Sequence, residues 1–280
     1  MSRRWARHPA DRYPSSPGTV GVTWLAVSAP RPICQSLSVA VLVASLGACA
    51  PFEAVQDGCR ALRFHDERFV EVPGSPELDG MSQMTLEAFV QLQAPGGEVQ
   101  VVSHHDYGQQ LGYVLTIYDT AVVFRTYANG GESFTGDGSV ELSRWYHLAV
   151  AYDDLGARVY INGVLSGSGD MNGALPAPFS GPLRIGAAAG GGFYVQGMID
   201  EVRLSRVARY GNDFAVPSEP FAMDPDTVAL WYFDEAEGQI VEDATGNHSG
   251  TLGQSEAVQP DDPERFEGIC ISQIAASTGH

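Results

Sequence analysis

The side chains able to do chemistry are mostly carboxylates, and their spacing decides what they can do. Asp200 and Glu201 are adjacent in GMIDEVRL, and Asp234, Glu235 and Glu237 follow the apolar run 228–233. Acid–base work by two carboxyl groups needs both on one face, whereas neighbours on a strand point to opposite faces. Asp200 and Glu201 are therefore expected to be separated. Asp243 and Asn247 in EDATGNHSG could hold calcium together with loop carbonyls, although Asp and Asn are also ordinary turn formers, and the turn reading is preferred. His104 and His105 are consecutive, so alternation parts them, and no third imidazole or thiol stands nearby to complete a zinc set. The run 186–192, GAAAGGG, is read as a flexible loop, because no Lys or helix follows it as a phosphate cradle requires.

The elements that must position these groups are strands. In RWYHLAVAYDDLGARVYINGVL, residues 144–165, Tyr146, Leu148, Val150 and Tyr152 alternate with Trp145, His147, Ala149 and Ala151, as in a half-buried strand. A turn at 153–156 follows, and Asn162-Gly163 is the dipeptide suited to a two-residue type I′ hairpin. Further strands are predicted at 61–64, 69–72, 84–93, 99–104, 112–117, 121–127, 133–141, 183–185, 193–204 and 228–233, with one helical turn at 205–210. In 84–93, Leu86, Ala88 and Val90 share a face opposite Thr85, Glu87 and Phe89, and the second face is expected to be partly covered. The 32 Gly and 17 Pro suit many short strands and tight turns in one large all-β domain.

Several of these runs carry a family likeness. Trp145-Tyr146-His147 followed by Val159-Tyr160-Ile161-Asn162-Gly163 resembles the LamG-like jelly roll of the concanavalin A-like lectin/glucanase superfamily. Residues 61–91 resemble its opening strands, 183–211 its closing strand, and 213–253 the extension of many bacterial members. The resemblance spans about residues 59–253 and implies a two-sheet antiparallel jelly-roll sandwich, but not a particular activity. Many superfamily members cleave glycans, and the glucanases among them carry Glu-x-Asp-x-Glu or a one-residue expansion on one strand face. Neither form occurs here. Pentraxins, a related jelly roll, bind calcium through two loops; the first corresponds to HHDYGQQLGY, which offers Asp106, Gln109 and Gln110. The second falls in 186–192, where Ala and Gly supply no side-chain oxygen. A jelly roll can also stack sugar rings on aromatic side chains, and Tyr107, Tyr113, Tyr118, Tyr127 and Tyr194 are the candidates.

Charge and leader narrow the setting. The chain has no Lys, and from Cys49 onward 11 Arg face 33 Asp plus Glu, a net charge of −22 that argues against nucleic acid or anionic lipid as partner. Residues 33–46 form an apolar run too short to span a bilayer, and Leu46-Gly47-Ala48-Cys49 resembles a bacterial lipobox. Residues 1–48 are thus read as a signal segment, with a start codon placed too early. The resemblance implies Cys49 as the lipid site, the alternative being an ordinary signal peptide with an incidental Cys, and 49–58 is read as a short tether. Export leaves Cys59 and Cys270 as one pair, expected to be bonded, with 254–280 as a tail tied back by that bond. Three readings follow: a surface-anchored module binding carbohydrate or protein, favoured here, a glucanase-type enzyme, and a structural domain without a small ligand.

Overall fold

A computed structural model describes residues 59–278 apart from 95–96, 129–130, 171–176, 256, 260–261 and 268–269. The expected signal segment, the expected lipid site Cys49 and the expected tether lie outside the described residues. Two antiparallel sheets carry the chain as a jelly-roll sandwich. Sheet 1 runs Val164–Gly169, Gly156–Ile161, Trp145–Asp153, Met84–Leu92, Gly197–Ser205, Arg60–Phe64 and Glu264–Glu267, with Thr227–Trp231 also paired to Gly197–Ser205. Sheet 2 runs Ile240–Val241, Gly250–Leu252, Val70–Val72, Leu183–Ile185, Glu98–Asp106, Leu111–Tyr118, Ala121–Ala128 and Gly131–Asp137.

Alternation builds the core between the sheets. Leu86, Ala88, Val90, Leu148, Val150 and Tyr152 from sheet 1 share one buried cluster with Val101, Leu115 and Phe124 from sheet 2. Phe124 and Tyr152 meet across it with ring centroids 6.5 Å apart. The hairpin at Asn162-Gly163 has φ of 52° and 75°, the two positive values that a type I′ turn demands. Gly163 is required twice over, because a Cβ there would sit 2.0 Å from the Phe214 carbonyl oxygen.

The second face of sheet 1 departs from expectation. Trp145, His147, Ala149 and Ala151 are all buried, because residues 206–223 and the helix Ile271–Thr278 lie over them. Tyr210 and Phe214 pack on Ala149, Ala151 and Tyr160, while Phe221, Ile271 and Ile274 pack on Phe89, Trp145 and Met198. Residues 205–210 form no helical turn. Their polar groups are drawn to the sheet instead: Thr85 Oγ1 donates to the Val207 carbonyl and accepts from the Arg209 amide.

The chain after residue 253 is more than a tail. Glu264–Glu267 extends sheet 1 beside Arg60–Phe64, and the helix follows. Cys59 and Cys270 are disulfide-bonded with Cα atoms 4.5 Å apart, so the predicted pairing holds. Several strand limits differ from those predicted. Gly131–Asp137 ends before residue 141, and Gly197–Ser205 begins after residue 193.

Candidate functional site

A bulge in Glu98–Asp106 makes the site. Val99, Val101 and Val102 all enter the core, because the ladder to Leu111–Tyr118 skips a residue between Gln100 and Val102. That shift resets the alternation, so Gln100 before it and His105 after it both face outward. On Ala121–Ala128, one strand beyond Leu111–Tyr118, Val122 and Phe124 face the core, leaving Arg125 and Tyr127 on the same outer face. Together with Glu98, Tyr107 and Phe193 they line a cleft of about 390 Å³, within the roughly 300–1,000 Å³ typical of ligand sites.

The polar wall is a single hydrogen-bonded chain. Arg125 Nη1 lies 2.6 Å and Gln100 Nε2 3.2 Å from the same oxygen, Glu98 Oε1. The Gln100 carbonyl oxygen then faces His105 Nε2 at 3.0 Å, which assigns the proton to Nε2. Burial lowers the His105 pKa to about 4, so the ring is neutral near pH 7. It stacks on Tyr127 at 5.3 Å, and Tyr107 meets Tyr127 edge-on at 6.1 Å.

The apolar wall is strained. Phe193 has φ 52° directly after Gly191 and Gly192, also at positive φ, and a bulky residue in that region is a true outlier. Its carbonyl is pinned by the Gln100 amide at 2.8 Å. The ring is nevertheless 51% exposed, and Tyr107 is 66% exposed. Phe193 is thus a bulky residue held at positive φ with its ring half exposed.

Of the five tyrosines proposed from sequence, the structure brings Tyr107 and Tyr127 into the cleft. Tyr113 is corrected to a core residue: it is buried, its hydroxyl donates to the Leu78 carbonyl at 3.1 Å, and burial pushes its phenol pKa far up. Tyr118 is exposed opposite Glu98 across the ladder, and Tyr194 is half-buried, both outside the lining. Sequence reasoning missed Glu98, Gln100, His105, Arg125 and Phe193. Their one signal was polar residues alternating with valine in EVQVV and an aromatic behind three glycines.

The calcium candidates are not assembled. Asp106 accepts both the amide and the side-chain nitrogen of Gln109. Asp243 accepts the amides of Leu230, Thr245, Asn247 and His248 and the Thr245 hydroxyl, and Asn247 serves as a turn residue. A cation would have to displace these donors. Among the described residues no three His, Cys, Asp or Glu side chains are placed to hold a metal ion. His104 faces away from His105 and bonds Asp79 at 3.0 Å. Asp79 also accepts the Phe179 amide beside a cleft of about 470 Å³ between loops. That cleft is larger, but its carboxylate is already committed and Phe179 is its only aromatic wall.

The separation expected of Asp200 and Glu201 is overturned. The ladder to Met84–Leu92 skips Glu201, which takes φ 41°, and this second bulge turns both carboxyl groups, with Asp234, into one pocket beside the disulfide. Its volume, about 90 Å³, is far below the roughly 300 Å³ that a ligand site needs, so no sugar ring enters. Burial and the neighbouring Asp234 carboxylate raise Glu201 to about 7, and burial with the Glu201 charge raises Asp200 well above the carboxylate range. A raised native pKa means stability is fully present below the unfolded value near 4.5 and is lost as pH climbs through about 7. The Glu201→Gln variant should therefore lose about 2.5 kcal/mol less than wild type between pH 5 and 8. Urea titrations at the two pH values measure this, and equal losses would refute it.

With this geometry in view, comparison with known proteins places the fold. Residues 66–215 match the family model described as the concanavalin A-like lectin/glucanases superfamily. The chain belongs to that superfamily. Among solved structures, this superfamily member is similar to a Bacteroides ovatus protein described as a "putative carbohydrate binding protein", at 20% identity and TM-score 0.59. The match covers 77% of this chain and 62% of that one, so the chain spans less than two thirds of its neighbour. A heptameric SAP-like pentraxin from Limulus polyphemus matches at 18% identity and TM-score 0.43, covering 56% of this chain and 80% of that one. The CBM40 of a Ruminococcus gnavus sialidase matches at 12% identity and TM-score 0.44, covering 53% and 92%. No curated protein matches the sequence.

Proposed function

We propose that this superfamily member is an exported, lipid-anchored module that binds carbohydrate through the outer cleft of sheet 2. The observation that carries the reading is Phe193, an exposed ring held at φ 52° on the rim of a cleft with a converging polar wall. Strain and exposure both oppose stability, and strained residues persist where function uses them. Tyr107 and Phe193 offer flat faces to the C–H face of a sugar, while the Glu98–Gln100–His105 chain offers fixed hydrogen-bonding groups. The description of the Bacteroides ovatus neighbour as a "putative carbohydrate binding protein" agrees with this role. A glycan-cleaving role finds less support, since the pocket that gathers Asp200, Glu201 and Asp234 among the described residues is too small for a sugar ring.

Screening the purified domain on a glycan array identifies ligands, and Phe193→Asn then separates binding from folding. Asn tolerates positive φ, so the variant keeps its thermal midpoint while affinity for the glycan falls about tenfold. An unchanged affinity would remove Phe193 from the site.

The anchor is proposed at Cys49, with 1–48 removed and 49–58 joining lipid to domain. Among the described residues no helix is long and apolar enough to cross a membrane. Lipoprotein processing adds several acyl chains, enough for stable attachment where one is marginal. A Cys49→Ala variant should leave the detergent phase for the aqueous phase; partition equal to wild type would dismiss the anchor.

A further inference from the structure

We propose that the sheet 2 cleft selects uncharged glycans and discriminates against those bearing carboxylate or sulfate groups. This rests on the carbohydrate reading of that cleft and adds the ligand class.

The cleft contains one cation, and it is committed. Arg125 Nη1 is 2.6 Å from Glu98 Oε1, and the two side chains are only 18% and 17% exposed. An anionic sugar approaching Arg125 must compete with this carboxylate or lie beside it, and like charges set together at an interface cost several kcal/mol. The donors from Arg125 and Gln100 both converge on Oε1. The second oxygen, Oε2, is the natural acceptor for a ligand hydroxyl. A sugar O–H can donate there, whereas a carboxylate or sulfate brings only further acceptors.

The rest of the wall adds no positive charge. His105 donates its Nε2–H to the Gln100 side-chain oxygen and is 93% removed from solvent, and burial keeps it neutral above about pH 4. Beyond the cleft the chain has no Lys and three acidic residues for each Arg after Cys49, so the long-range field repels anions as well. Tyr107 and Phe193 need no charge to hold a sugar face.

The test uses the purified chain from Cys59 onward, with its disulfide intact, and titration calorimetry at 20 and 500 mM NaCl. Probes are neutral β-glucan, mannan and galactan oligosaccharides, and polygalacturonate and dextran sulfate fragments. At least one neutral probe should bind with Kd changing less than twofold between the two salts, and the anionic probes should bind at least 100-fold more weakly. Glu98→Gln removes the repelling charge and the charged acceptor, and should shift the neutral-to-anionic affinity ratio at least tenfold toward the anion. Circular dichroism of that variant confirms an intact fold, and Glu98→Asp provides a second reading that keeps the charge and the preference. Tighter binding of an anionic probe, a steep salt dependence of the neutral probe, or a ratio unmoved by Glu98→Gln would overturn the inference while leaving carbohydrate binding in place. Binding of no probe would remove the carbohydrate reading itself.

Discussion

Replacing Arg203 by Met should lower the unfolding free energy by about 3–5 kcal/mol, because it strands a buried carboxylate. Glu87 is fully buried between sheet 1 and its covering segment. Its Oε1 accepts Arg203 Nε and Nη2 at 2.9 and 2.8 Å, and its Oε2 accepts the Tyr210 hydroxyl at 2.8 Å and faces His147 Nε2 at 3.1 Å. Burial is the largest influence and pushes the carboxyl pKa up, yet the His147 and Tyr210 hydrogen bonds and the Arg203 charge leave it below the ordinary value. Arg203 also donates to the Ala222 carbonyl and lies over the Phe221 ring, 4.5 Å from its centroid. Losing it therefore loosens the cover as well as the ion pair. The double variant Glu87→Gln, Arg203→Met buries no charge and should recover at least about 2 kcal/mol of the loss. Urea denaturation of the three proteins tests this, and a single-variant loss under about 1 kcal/mol would show that the network is dispensable.

Removing the disulfide, as Cys59→Ser with Cys270→Ser, should cost up to about 5 kcal/mol. The bond spans 211 residues, and in the chain-entropy model a loop that long restricts the unfolded ensemble strongly. The native ladder between Arg60–Phe64 and Glu264–Glu267 already holds the two ends together, so the effect belongs mostly to the unfolded chain. Glycan affinity should accordingly be unchanged while the denaturation midpoint falls. Matching midpoints for oxidised and reduced protein would contradict this account.

Strand positions and the core-facing residues of 144–165 were legible because a period of two is written in the sequence wherever one face of a strand meets the core. Asn162-Gly163 was legible for a similarly local reason, since few dipeptides accept two positive φ values. The cysteine pair was readable from number and from the export that the leader led us to expect. The cleft was not. Bulges at 100–102 and at Glu201 each shift the alternation by one residue, so simple parity could not show that Gln100 and His105 share a face. It also placed Asp200 and Glu201 apart when they share a pocket.

What the sequence by itself determined is the sandwich and its hydrophobic interior, because backbone alternation and turn chemistry act over a few residues. The tertiary structure alone decided which outward-facing side chains are solvent-exposed. Trp145, His147 and Glu87 looked like an outer face and are buried under residues 206–223 and a helix that arrives over 100 residues later. Phe193, Tyr107, Arg125 and Glu98 come from three separate stretches of chain and meet only because ladder register and a loop pinned by the Gln100 amide bring them to one cleft. Contacts of that range depend on where the whole chain returns, which no local pattern encodes.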